Sequence, residues 1–168
     1  SVAERLATYD SKQRRRSDLT EDLFDQVRVN FETDDGSLPG IEVSGLSGDE
    51  VARVYDWIRS RSHVSTRDAV FWHKRDDRSV GLDAVPNAAA LVATGEAEAI
   101  HFCFTGLRLD DVELPELGLF VFPDNVELDY RMGPHWTRER VEAFFKLLAI
   151  ICDLAPAALV SIPSVEPP

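Results

Sequence analysis

Seven carboxylates and no lysine or arginine fall between Leu109 and Tyr130: Asp110, Asp111, Glu113, Glu116, Asp124, Glu127 and Asp129. Uncompensated carboxylates repel one another, so such a stretch stays solvated, binds a cation or meets a basic partner. Glu127 and Asp129 stand two residues apart, which on a strand puts both on one face, roughly 6–7 Å apart. Joined by Glu116, or by His135 in the Gly133-Pro134-His135-Trp136 turn, they could do acid–base chemistry. A solvent-facing strand has the same geometry.

Other chemistries lack their residues. Asp124-Asn125-Val126-Glu127-Leu128-Asp129 has neither the glycine nor the terminal glutamate of an EF-hand loop. His63, His73, His101 and His135 show no His-Glu-x-x-His spacing, and His101-Phe102-Cys103 has no second ligand pair nearby. His101, on an apolar run, reads as a hydrogen-bonded core residue. There is no Gly-x-Ser-x-Gly elbow, Walker loop or Rossmann glycine fingerprint. Cys103 and Cys152 lie in apolar surroundings and read as buried free thiols, although one disulfide would be compatible. No cofactor or metal is expected.

The elements that must position these residues follow from periodicity. Leu117–Phe122 and Val126–Arg131, joined by Pro123-Asp124-Asn125, predict a hairpin. Alternation puts Val126, Leu128 and Tyr130 on one face, and Glu127, Asp129 and Arg131 on the other. Val27-Arg28-Val29-Asn30-Phe31 also alternates and predicts a strand, paired in a hairpin with Ile41-Glu42-Val43. Ser47-Gly48-Asp49-Glu50 is a capping box opening a helix over 48–61, with Val51, Val54, Tyr55 and Ile58 inward.

Strands are expected at 69–73, 99–104 and 158–162, with Lys74–Arg78 as a charged loop. Pro86 opens a short helix running to Val92 and stopped by Gly95. Thr137 caps a helix over 138–153 with a stripe of Val141, Phe144, Phe145, Leu148, Ile151 and Cys152. The class is α+β: a mostly antiparallel sheet with two main helices packed on one face. Residues 1–22 read as a loosely ordered segment carrying the basic tract Lys12–Arg16, 23–162 as one domain, and 163–168 as a frayed Pro-rich tail.

Size and charge narrow the function. The 168 residues and 44 % hydrophobic content suit one globular domain. The net charge of −12 falls mostly on residues 76–168, with 6 basic and 16 acidic side chains. That balance argues against nucleic acid or an anionic membrane and favours a basic protein partner, or else an inert solubilising surface. No run of about 18 apolar residues predicts a membrane span, and the N-terminus lacks a signal-peptide core, so a cytoplasmic protein is expected.

The stretch Phe120-Val121-Phe122-Pro123-Asp124-Asn125-Val126-Glu127-Leu128-Asp129-Tyr130-Arg131-Met132-Gly133-Pro134-His135-Trp136, followed by Val141-Glu142-Ala143-Phe144-Phe145-Lys146-Leu147-Leu148, resembles the C-terminal half of small bacterial proteins of the polymorphic-toxin immunity kind. The resemblance lies in an acidic hairpin followed by Gly, Trp and an aromatic helix. It implies a cytoplasmic, cofactor-free protein that blocks a cognate toxin by binding it.

Three readings stay open at this level. The first is a non-enzymatic immunity protein or inhibitor whose acidic face docks on a basic target. Trp72, Tyr130 and Trp136 would supply amphipathic anchors, and the binding set would be Asp124, Glu127, Asp129, Tyr130, Arg131, His135 and Trp136. The second is a small hydrolase or isomerase using Glu127 or Asp129 with His135, in a pocket where those side chains converge. The third is a structural module, such as a homodimer, whose acidity serves only solubility.

Overall fold

The computed structural model describes residues 24–161; the expected N-terminal segment with its basic tract, and the Pro-rich tail, lie outside the described residues. The fold is α+β. Its centre is a six-stranded, fully antiparallel sheet of β1 (Gly40–Ser44), β2 (His63–Val64), β5 (Ile100–Thr105), β8 (Leu117–Val121), β9 (Asn125–Tyr130) and β10 (Leu159–Ser161). The strands lie in the order β10-β1-β9-β8-β5-β2. Two small hairpins stand apart: β3 (Val70–His73) with β4 (Arg78–Gly81), and β6 (Arg108–Leu109) with β7 (Val112–Glu113). The helices are α1 (Val29–Glu32), preceded by a helical turn at 24–27, α2 (Gly48–Arg59), α3 (Ala88–Thr94) and α4 (Arg138–Leu154).

One face of the sheet is buried and the other is open. Ile41, Val43, Ile100, Phe102, Phe104, Leu117, Leu119, Val121, Val126, Leu128 and Tyr130 all enter the core. The residues between them on β1 and β9 are only partly buried, which is the period of two expected of a one-sided sheet. Both α2 and α4 pack on the buried face: Tyr55 meets Phe102 edge-on at 5.9 Å, and Phe144 meets Tyr130 at 5.6 Å.

The helices start where local chemistry starts them. The Ser47 hydroxyl accepts from the Glu50 amide while the Glu50 carboxylate accepts from the Ser47 amide, so the capping box forms at α2. Asn87, one residue after the expected opener Pro86, caps α3 by accepting from the Ala90 amide, and Gly95 ends it in the left-handed conformation at φ +82°. Thr137 caps α4 as expected. The buried stripe of α4 is rotated slightly from the expected one: Leu147 lies inside, while Phe145 is 41 % exposed.

The segment at 27–31 is a correction. It is helical, and no strand pairs there with β1, whose neighbours are β9 and β10. Five alternating residues fit a helix as well as a strand: Phe24, Val27 and Phe31 are spaced i, i+3, i+7. They pack against the core while Val29, the residue that alternation would bury, is 63 % exposed. Phe31 decides the outcome by stacking on Tyr130 at 4.8 Å and contacting Trp136 at 5.0 Å.

Tyr130 and Trp136 are therefore core residues, correcting their expected role as docking anchors. The Trp136 indole donates to the Arg131 carbonyl at 2.8 Å, and the Tyr130 hydroxyl to the Asn30 carbonyl at 3.0 Å. Of the three expected anchors only Trp72, 43 % exposed on β3, stays on the surface.

Burial pushes the Tyr130 phenol from its ordinary 10 up to about 12. The fold thus favours the neutral phenol, and this contribution is complete below pH 10 and lost as pH rises to about 12. Tyr130→Phe is expected to cost about 1 kcal/mol at neutral pH through the lost hydrogen bond, and to flatten the alkaline decline. Urea titrations at neutral pH and between pH 10 and 12 check both parts.

Among the described residues no helix is long and apolar enough to cross a membrane.

Candidate functional site

The open face of the central sheet gathers the polar residues that alternation turns away from the core. Register arranges them in two cross-strand rows. One runs His101, Phe120, Glu127, Glu42; the other runs Cys103, Gly118, Asp129, Gly40. Expected and unexpected residues thus share one surface.

Asp129 is the best-anchored of them. Its carboxylate is 14 % exposed and lies 2.9 Å from the His101 Nε2, giving an ion pair whenever the imidazole is protonated. It leans across Gly118, where any Cβ would collide with the carboxylate. A glycine inside an apolar strand marks such a close approach. Glu127 leans in the same way over Gly40. His101 itself is a correction: it lies on the open face, 40 % exposed in its side chain, not in the core. Its ring stacks on Phe120 at 3.9 Å.

Glu127 has no hydrogen-bond or salt-bridge partner among the described residues, whereas Glu42 accepts from the Asn125 amide nitrogen at 2.9 Å. Partial burial, then the charges of Asp129 and Glu42, push the Glu127 carboxyl above its ordinary 4.5, with His101 pulling the other way. The sign follows directly. A raised carboxyl favours the fold below its ordinary value, and that contribution is lost as pH rises through the folded value. Ionised Glu127 therefore opposes the fold at neutral pH. Glu127→Gln should raise Tm slightly at pH 7, the gain being small because the side chain is partly solvated. The difference should close once the wild-type carboxyl is protonated, as thermal melts at pH 7 and about pH 4 would show.

The other acids of the 109–130 stretch lie outside these two rows. Asp110 and Asp111 form the tip of the β6–β7 hairpin, both with positive φ (47° and 66°), as a two-residue type I′ turn requires. Asp110 reaches Lys146 on α4 at 2.6 Å. Glu116 accepts from the Ser65 hydroxyl at 2.6 Å. Asp124 is exposed at the β8–β9 turn, at the opposite end of β9 from His135 and Trp136. The stretch is thus neither one patch nor uncompensated.

Beside the rows lies an open groove of about 460 Å³ whose walls include His101, Cys103, Glu116, Asp129, Arg131 and His135, with Gly118 in the floor. Asp129 and His135 both line this groove, while Glu127 is not among its walls. The Asp129 carboxylate orients His101, but the neighbouring Cys103 thiol makes a poor nucleophile. Burial, together with Glu116 and Asp129, pushes it above its usual range, so it stays protonated at neutral pH. Among the described residues no group of three or more His, Cys, Asp or Glu side chains could hold a metal ion. Both cysteines are free thiols.

No protein-family model matches this chain, and neither does any curated protein or solved structure. The site therefore rests on its own geometry.

Of the seven expected binding residues, Glu127 and Asp129 share the open face, Arg131 and His135 border the groove, Asp124 sits apart, and Tyr130 and Trp136 are internal. His101, Glu42, Gly118 and Phe120 join the face without having been expected. Gly118, interrupting an otherwise apolar run, carried the one sequence signal that could have pointed to it.

Proposed function

We propose that this protein is a non-enzymatic binding protein of the immunity or inhibitor kind, which neutralises a basic protein toxin in the cytoplasm by docking the open face of its sheet. The observation that carries this reading is Glu127: a partly desolvated carboxylate with no hydrogen-bond or salt-bridge partner among the described residues, held beside Asp129 and Glu42 on the partly exposed face of the sheet. Such a face is more stable with a cation against it than alone, and a basic surface supplies that cation while gaining long-range steering. An acid–base enzyme built on Asp129 and His135 is favoured only by their shared groove.

Photocrosslinking tests the docking. Benzoylphenylalanine placed at Phe122 should capture a basic protein in the source lysate, in a salt-sensitive way, whereas the same group at Trp72, on the β3–β4 hairpin, should not. Co-expression with the captured protein should then relieve its toxicity. Equal capture from both positions, or a captured protein that is acidic or harmless, would remove the proposal.

A further inference from the structure

On the reading that the open face binds a basic protein, we infer that the partner engages it with arginine side chains, seated on Phe120 and Phe122 and paired with Glu127. Phe120 and Phe122 are partly buried, yet neither packs against the hydrophobic core. Their rings are parallel to within 13° at 5.9 Å, and Phe120 lies between His101 and Glu127 in the cross-strand row. One face of Phe120 is taken by the His101 ring at 3.9 Å, so a guest group uses its other face and Phe122.

Flat rings beside an unpaired carboxylate distinguish the two basic side chains. A guanidinium is planar and weakly hydrated, so it can stack on a ring while its N–H fork meets a carboxylate. An ammonium is compact and strongly hydrated, so it gains the charge attraction alone. Glu127 and Glu42, opposite each other on β9 and β1, place two carboxylates within reach of one such group. The surface is thus selective for arginine over lysine, not merely for positive charge.

NMR titration of the full chain with two peptides of equal length and charge, one of Gly-Arg repeats and one of Gly-Lys repeats, tests this. The arginine peptide should bind about tenfold more tightly, with shifts centred on β8 and β9. Phe120→Leu/Phe122→Leu should bring the ratio close to one without weakening the lysine peptide. Equal affinities in the wild type would overturn arginine selection while leaving a basic partner standing. Absence of binding by either peptide, or shifts elsewhere, would overturn both. If Arg14→Gln/Arg15→Gln/Arg16→Gln in the chain alone shifts the β8–β9 resonances, the seat is filled from within the chain, and the partner inference fails.

Discussion

Phe144→Ala is expected to lower the free energy of unfolding by about 3–5 kcal/mol, the range for deleting a fully buried phenylalanine ring. Phe144 is completely buried in α4 and, besides its chain neighbour Phe145, touches three aromatic rings: Phe31 at 5.9 Å, Tyr130 at 5.6 Å and Trp136 at 5.6 Å. These rings come from α1, β9 and the turn before α4, so collapse of one neighbour cannot fill the gap without moving two others. The loss is a large part of the roughly 5–15 kcal/mol that holds a domain together. Phe145→Ala supplies the contrast. Its neighbouring ring is 41 % exposed, and truncation should cost about 1 kcal/mol or less. Urea denaturation followed by circular dichroism would check the pair, and equal costs would mean that α4 faces the core differently.

Glu127→Lys/Asp129→Lys should weaken partner binding by a factor of about 10²–10⁴, since close charge pairs at interfaces couple by several kcal/mol. Both substitutions change the open face while leaving the core positions of β9, Val126, Leu128 and Tyr130, untouched. The fold should therefore survive, which circular dichroism and a cooperative melt would establish first. The two positions contribute differently. Glu127 has no partner to lose within the described chain, whereas Asp129→Lys also strips His101 of its carboxylate and sets two basic groups side by side. Isothermal titration against the captured partner at two salt concentrations would separate steering from contact, because exposed charges are screened and desolvated ones less so. An unchanged affinity in a folded variant would remove this face from any account of the protein.

The two effects fall on opposite sides of one sheet, and β9 serves both. Its inward residues carry the aromatic cluster that fixes α1 and α4, and its outward residues carry the acids. Tyr130 and Asp129 are adjacent in sequence and differ in role only because successive side chains point to opposite faces.

Local chemistry was enough for much of this. Alternation along Val126–Tyr130 placed Glu127 and Asp129 on the solvent side, because one buried face enforces a period of two. Ser47 with Glu50 and Thr137 with α4 were readable because a helix start is satisfied by residues three apart. The strand expected at 69–73 is β3, but its partner β4 and the β6–β7 hairpin were not read, since strands of two to four residues are too short to show a period.

What required the tertiary structure shares one physical cause: the deciding partner is distant in sequence. The 27–31 segment fits a helix or a strand by its own pattern, and rings about a hundred residues away make it helical by burying Phe31 but not Val29. His101 looks like a core residue until register sets it one row over, diagonally across β8, from Asp129. Asp110 belongs to the acidic stretch by sequence and to Lys146 by packing. The sequence by itself determined that this is an α+β domain with an acid-rich hairpin. Only the sheet's pairing decided which acids meet, because strand register converts residues far apart in the chain into neighbours about 5 Å apart.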